Sequence, residues 1–187
     1  FRSAMTVALC GFMGCGKSSI GRLAGRLAGL SFSDLDDRIE KEIGKSIPEI
    51  FASAGEKGFR EIEFHTLTKV IERDSQLSIL ALGGGTLTDS RSAAIIKEKT
   101  KCIYLRASID TLVSNIEMYP SPRPKLGELH SHDELVDRVS ELMSERKSLY
   151  EDAADITIDT DSMDYAKIAS EIAQIAIRLS PHAPLYP

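Results

Sequence analysis

The sequence predicts an α/β protein of three layers, a five-stranded parallel sheet flanked by helices, and three observations carry that expectation. Short apolar runs alternate with longer stretches of helical period along the chain. No internal repeat or long linker interrupts the alternation. The length of 187 residues corresponds to about one domain, large enough to bury a core without disulfide or metal staples.

Met5 to Cys10 (MTVALC) reads as a buried first strand, and Lys17 to Gly29 as the helix after its glycine loop. Leu30 to Ser33 is a weaker second strand. Two polar helical stretches follow, Asp36 to Gly44 and Ser46 to Ala54. The latter opens on Ser46-Ile-Pro-Glu49, where the serine can cap free amides and the glutamate can close a capping box. A longer helix is expected from Phe59 to Arg73. Ser78 to Leu82 (SILAL) is the third strand, stopped by Gly83, Gly84 and Gly85, and Arg91 to Glu98 is helical. Lys101 to Arg106 (KCIYLR) is the fourth strand, with Ser108 placed to cap the next helix.

Tyr119 to His132 contains Pro120, Pro122, Pro124 and Gly127, too many breakers for a regular element, and reads as a mobile loop. Asp133 to Leu149 is a charged amphipathic helix and Asp155 to Asp159 (DITID) the last strand. Asp164 to Leu179 closes the fold, with Ile168, Ile172, Ile175 and Leu179 on one face. Phe1 to Ala4 reads as an expression scar ahead of Met5, residues 5–179 as one domain, and Ser180 to Pro187 as a frayed tail.

Composition narrows the function. With 23 Lys+Arg against 28 Asp+Glu the net charge is −5, and the cations are dispersed, so no basic stripe offers itself to nucleic acid. No apolar run approaches the ~20 residues of a membrane span, and no secretory signal precedes the first strand, so a cytoplasmic chain is expected. Cys10, Cys15 and Cys102 are odd in number and lack metal-like spacing, which suits a reducing compartment and ordinary buried thiols.

The strongest chemical signal is GFMGCGKS, Gly11 to Ser18, matching GxxxxGK[ST] between a buried strand and a helix. Glycines there let backbone amides point at a polyphosphate, and the helix N-terminus adds its positive end. Lys17 then reaches the β and γ phosphates, and Ser18 can ligate magnesium. Cys15 is expected to offer only its backbone amide. This is the signature of the P-loop NTPase fold.

No NKxD guanine-reading motif occurs, and no Asp ends the third strand. Asp159 ends the last strand but follows the proline-rich loop and is set aside as a metal ligand. Asp34 and Asp36 are better placed, since the second strand is expected beside the phosphate loop, with both carboxylates at the crevice where strands end. One could hold a magnesium-bound water while the other takes a proton from an attacking hydroxyl. A helix N-terminus rich in acid, Asp34, Asp36 and Asp37, is the competing reading. Arg60 has Glu63 three residues on, a spacing that can lock a guanidinium in place, and Arg146 lies late in another helix. Two fixed arginines suit bidentate capture of a carboxylate.

At this point the residues are similar to those of shikimate kinases, a resemblance running from Met5 to about Leu179. It rests on GFMGCGKS, on Asp34-Leu-Asp36, on G-E-x-x-F-R at Gly55 to Arg60, and on L-G-G-G at Leu82 to Gly85. It continues in R-P at Arg123-Pro124 and R-x-x-L-Y at Arg146 to Tyr150. The resemblance implies transfer of the ATP γ-phosphate to the 3-hydroxyl of shikimate, with Mg2+ as cofactor and a monomer as the functional unit. It implies Asp36 as substrate ligand and base, Arg60 and Arg146 on the shikimate carboxylate, and the Gly84 backbone in the substrate floor. Gly14, Cys15, Gly16, Lys17, Ser18 and Ser19 would take the nucleotide, with Asp34 beside Ser18 at the metal and Arg123 as a lid arginine reaching the phosphates.

Lys17, Arg123 and magnesium would then supply most of the catalysis, and closure of a lid at about 119–132 would exclude water. His130 and His132, with no further Cys or His nearby, read as exposed lid residues. Two positions depart from the family pattern. Where it has arginines lying against adenine, this chain reads Asn115-Ile116-Glu117-Met118-Tyr119, with Ile116 left to cover a purine face. Lys125 also intervenes between the lid R-P and Leu126. The competing readings are a gluconate- or adenylate-type kinase, disfavoured by the arginine pair, and a catalytically silent relative, disfavoured by the presence of Lys17, Asp36 and both arginines.

Overall fold

The computed structural model describes residues 6–73, 76, 78–161 and 163–179; the readings for Phe1 to Met5 and for Ser180 to Pro187 lie outside the described residues. The strands are β1 Thr6–Cys10, β2 Ser31–Asp34, β3 Ser78–Ala81, β4 Thr100–Arg106 and β5 Ile156–Asp159. The helices are α1 Lys17–Ala28, α2 Leu35–Ile43, α3 Ile47–Arg73, α4 Ser90–Lys99, α5 Ile109–Met118, α6 His132–Ala153 and α7 Tyr165–Leu179.

All strand pairs are parallel, in the order β2-β3-β1-β4-β5. This corrects one expectation: β3 lies between β1 and β2, so the second strand does not flank the phosphate loop directly. The three inner strands are almost wholly buried, which explains their unbroken apolar runs, whereas the edges β2 and β5 are half exposed and read weakly in sequence. The helices α1 and α7 pack together as one covering layer; α4 and α6 cover β4 and each other, with α3 beside α4. Val7, Leu9, Ile79, Ile103 and Leu105, all without exposure, sit at the centre.

Local signals fix the boundaries. Ser108 Oγ accepts from Thr111 N to cap α5, and Asp89 caps α4 through Arg91 N. The capping box forms: Ser46 N donates to Glu49 Oε2 at 2.7 Å, and Glu49 N donates to Ser46 Oγ at 3.4 Å. The two helices expected on either side of residue 55 form one element broken at Gly55, whose φ of 68° and ψ of 179° are not helical. The second strand runs one residue later than expected, so Asp34 both ends β2 and caps α2.

The proline-rich stretch after α5 holds no regular element until α6 begins at His132, capped by Ser131. The three cysteines are free and buried. Cys10 Sγ and Cys102 Sγ lie 3.6 Å apart, a contact that, with burial, pushes the Cys10 thiol up. Among the described residues no helix is long and apolar enough to cross a membrane.

Candidate active site

The chain leaves β1 toward β3 and β2 on one side, while β4 and β5 lie on the other. The crevice at the strand ends therefore opens beside β1, the topological switch point of an open α/β sheet. The loop there turns through left-handed φ of 83° at Gly14 and 93° at Gly16. Gly16, the N-cap of α1, brings no side chain, so the first helical amides stay open to an anion. Lys17 is buried and curls back, with Nζ 2.7 Å from the Gly11 carbonyl and 3.0 Å from that of Phe12. The Cys15 amide donates to the Phe12 carbonyl at 3.2 Å, closing the loop's own turn. Ser18 and Ser19 are exposed at the start of α1 and line the same cavity.

Asp34 unites the two readings of the acidic run. Its Oδ1 accepts from Asp36 N at 2.9 Å and from Asp37 N at 3.3 Å, capping α2, while its Oδ2 accepts a hydrogen bond from Ser18 Oγ. The reach is possible despite the intervening β3 because α1 packs on both β2 and β3. A hydroxyl and a carboxylate oxygen side by side at a helix N-terminus are hard donors of the kind Mg2+ prefers, so the residues present fit that ion. Asp36 accepts no side-chain hydrogen bond among the described residues. Burial pushes its carboxyl up to about 7; the Asp34 and Glu63 charges add to the rise, while Lys17 and Arg60 oppose it.

Both predicted substrate arginines converge with this carboxylate. Arg60 Nη1 donates to Glu63 Oε1 at 2.6 Å, the pairing expected from their spacing. Glu63 is buried and also accepts from Thr86 Oγ1 at 2.8 Å, so the guanidinium is held from behind. Arg146 is only 3% exposed and has no carboxylate partner among the described residues. Its Nη1, like Arg60 Nε, is buried without a hydrogen-bond partner.

The glycine run that ends β3 is where these groups meet. A Cβ on Gly85 would collide with Arg60 Nη2 and stand 3.2 Å from Arg146 Nη2. One on Gly83 would stand 3.1 Å from both Asp36 Oδ1 and Glu63 Oε2. Gly84 lies between them with its carbonyl accepting from the Tyr150 hydroxyl at 2.5 Å, and Tyr150 stacks on Tyr104 with centroids 5.2 Å apart.

The proline-rich segment lines the same cavity, but Arg123 points its donors at its own loop: the carbonyls of Ser121 and Tyr119, each at 3.3 Å. Lys125, the departure from family pattern, bridges to Glu56 Oε2 at 2.9 Å, and Leu126 is buried. The expectation for Ile116 is overturned. It is buried with its side chain packed toward Gly14, behind the phosphate loop, and so has no free face for a purine. Its neighbour Asn115 donates from Nδ2 to the Gly14 carbonyl at 2.8 Å. His132 pairs with Glu117 at 2.6 Å, and Asp159 is tied to Arg106 at 2.6 Å, away from the crevice.

Lys17, Ser18, Asp34, Asp36, Arg60, Arg123 and Arg146 all line one cavity of ≈ 1130 Å³. Several residues that line this cavity or brace its lining are not legible as such in the sequence. Tyr165 lines it, while Thr86 and Tyr150 brace Glu63 and the Gly84 carbonyl from behind, and none of the three carries a local sequence signal for that place. Phe51 and Phe59, stacked at 4.5 Å beside Arg60, read only as helix positions.

Known proteins resemble this chain in sequence and in fold. Residues 13–176 match the family profile described as shikimate kinase. A shikimate kinase of Chlorobium chlorochromatii is 37% identical over 169 residues, 89% of this chain and 87% of that protein. One of Salinibacter ruber is 39% identical over 161 residues, 84% of this chain and 78% of that protein. Among solved structures, shikimate kinase from Acinetobacter baumannii in complex with shikimate has a TM-score of 0.84 at 30% identity, covering 95% of this chain and 96% of that one. A gluconokinase from Sinorhizobium meliloti, at 16% identity and a TM-score of 0.55, shares the fold alone; it covers 96% of this chain and 95% of that one.

Proposed function

The chain belongs to the shikimate kinase family, and from that premise we propose how its own residues carry the reaction. The activity is ATP-dependent phosphoryl transfer from ATP to the 3-hydroxyl of shikimate, giving shikimate 3-phosphate and ADP in aromatic amino-acid biosynthesis. Phosphoryl transfer has a loose transition state with charge on the equatorial oxygens, so the protein's contribution is placement and charge compensation.

The observation that carries the assignment of the acceptor end is Arg146: a guanidinium buried with no carboxylate beside it, next to Arg60. An uncompensated buried charge costs several kcal/mol, on the order that an anionic ligand returns on binding. Shikimate supplies that anion, held by both arginines over the Gly84 backbone. Asp36, raised to about 7, is matched to accepting the 3-hydroxyl proton as the oxygen attacks the γ-phosphorus and the bond to the β-phosphate oxygen breaks. Gly14, Cys15, Gly16, Ser18 and Ser19 cradle the phosphates. Lys17 exchanges its carbonyl partners for phosphate oxygens, and Arg123 turns from the lid carbonyls onto them.

Ser18 and Asp34 would hold Mg2+. When bound there, the ion neutralises charge on the β- and γ-phosphate oxygens. Residues 5–179 act as one kinase domain with a lid at about 119–132. The protein works as a cytoplasmic monomer without nucleic-acid partners.

The test is a coupled assay of ADP release with shikimate, quinate and gluconate. Turnover with shikimate well above the other two is expected. Equal or greater turnover with gluconate would overturn the acceptor assignment, and no turnover with any acid would mark a silent relative.

A further inference from the structure

Gly83, Gly84 and Gly85 line the cavity together with Arg60 and Arg146, whereas Tyr150 lies buried outside that lining and donates its hydroxyl to the Gly84 carbonyl at 2.5 Å. The glycine run is therefore held from behind. Helix α6 delivers Tyr150 and Arg146 together, four residues apart and so on one face. Each is backed by a ring: Tyr104 of β4 stacks on Tyr150, and the Phe12 ring of the phosphate loop has the Arg146 guanidinium 5.8 Å from its centre. Burial pushes the Tyr150 hydroxyl up, so near neutral pH it keeps the proton it donates. A trans peptide is planar, with its C=O and N–H pointing opposite ways. Turning the Gly84 carbonyl back to Tyr150 thus turns the Gly85 N–H forward, to the side where Arg60 and Arg146 stand. That N–H finds no acceptor among the described residues.

We propose that Tyr150 is a positioning residue for the acceptor: its hydroxyl holds the Gly84–Gly85 peptide so that the N–H, beside Arg60 and Arg146, meets an oxygen of the bound acid. The inference rests on the reading of this end of the cavity as the shikimate site. Without the hydroxyl, the Gly84 carbonyl loses its donor, and Arg146 Nη1, itself buried without a partner, would stand only 3.5 Å from a Cβ on Gly84. The peptide then turns toward that guanidinium. Its carbonyl oxygen competes with the acceptor's carboxylate for Arg146 and takes the place of the N–H. Leaving a buried acceptor unpaired shifts an equilibrium on the order of 5- to 150-fold, so shikimate binding should weaken at least to the lower figure. Tyr150 makes no hydrogen bond to the phosphate loop among the described residues, so ATP binding should hold.

The experiment measures calorimetric dissociation constants for shikimate and for ATP on the parent chain, Tyr150→Phe and Tyr104→Phe. Phenylalanine keeps the ring and its stacking and removes only the hydroxyl. Tyr150→Phe should lose at least about fivefold in shikimate affinity with ATP affinity within about twofold, and Tyr104→Phe should leave both within about twofold. A lower melting temperature with shikimate affinity unchanged would make the bond purely structural, and equal losses for shikimate and ATP would make it a brace of the whole crevice. A loss in Tyr104→Phe as large as in Tyr150→Phe would credit the ring pair instead of the hydroxyl. Any of these three results overturns the proposal. Should Tyr150→Phe not fold, carbon-13 spectra of the parent decide the matter, with label on the ring carbon that bears the hydroxyl in all five tyrosines. The Tyr150 signal, identified by replacing the other four one at a time, should move on adding shikimate and stay in place on adding ATP; a signal that ignores shikimate sinks the idea. A parent chain that binds ATP and no shikimate overturns the acceptor reading and this inference with it.

Discussion

The arginine end of the cavity, proposed for the acceptor, and the opposite end beyond Gly14 and Gly16 are built by opposite means. At the acceptor end the groups are buried, charged and already wired: Glu63 fixes Arg60, Thr86 fixes Glu63, and Arg146 is nearly sealed from solvent. At the opposite end the large side chains, Met118, Tyr119 and Tyr165, are exposed and uncharged. Desolvated, pre-oriented charge gives steep discrimination because a wrong ligand leaves donors unpaired. Exposed rings give affinity with little discrimination. The reaction transfers the same phosphate whatever the base, so selectivity concentrated on the acceptor is what the chemistry needs.

The largest expected effect belongs to the carboxylate beside the two arginines. Asp36→Asn should lower kcat by about 10²- to 10⁴-fold in steady-state assays while leaving ATP binding intact, since a general base contributes on that order. The same residue sets a pH dependence. Its carboxyl is raised to about 7, so kcat/KM for shikimate should fall about tenfold per unit below that pH and level off above it. Stability runs the other way. A carboxyl raised in the folded state favours folding while it is protonated and loses that contribution as pH rises through about 7. Asp36→Asn should therefore melt above the parent at pH 8, with the advantage shrinking toward pH 4.

Next comes the acceptor end alone. Arg146→Ala should raise the KM for shikimate about 30-fold or more, the usual cost of truncating one partner of a buried charge pair, with the KM for ATP moving less than threefold. If the KM for shikimate stayed put, the contrast between the two ends would collapse. Gly85→Ala sharpens it without removing any functional group. The new methyl displaces Arg60, and a shift of about 1 Å can cost up to 10²-fold, so shikimate turnover should drop while ATP binding holds. The smallest effect belongs to the proline-rich segment. Lys125→Ala breaks a half-exposed bridge to Glu56 worth at most about 1 kcal/mol, so kcat/KM should fall no more than about fivefold.

Much of the fold was legible because the inner strands of a parallel sheet are buried on both faces and so appear as unbroken apolar runs, as MTVALC, SILAL and KCIYLR do. Ser46, Ser108 and the glycine before Lys17 act within a turn or two of themselves, and their consequences could be read locally. The order of strands could not. Whether β3 or β2 lies beside β1 depends on how crossovers pack, and no short-range pattern encodes it. The second strand also slipped by a residue, because an edge strand with half its side chains in solvent has a weak pattern, and Asp34 was therefore not recognisable as a helix cap and a Ser18 partner at once.

The site divides along the same line. GFMGCGKS, the two aspartates and both arginines were visible because phosphate and carboxylate recognition demands those residue types whatever the surroundings. Ile116 was misjudged because nothing in Asn115-Ile116 says which residue turns behind the loop; only the rotation of α5 does. The run Gly83-Gly84-Gly85 could be read as the end of a strand, yet its reason lies in residues from three other segments. Asp36 follows β2, Arg60 and Glu63 come from α3, and Arg146 from α6, and all arrive where a Cβ would stand. Sequence alone determined which chemical groups the protein owns, since covalent structure fixes charge, donors and acceptors. Only the tertiary structure decided which of them share a few ångströms of desolvated space, because burial and proximity are properties of packing between segments far apart in the chain.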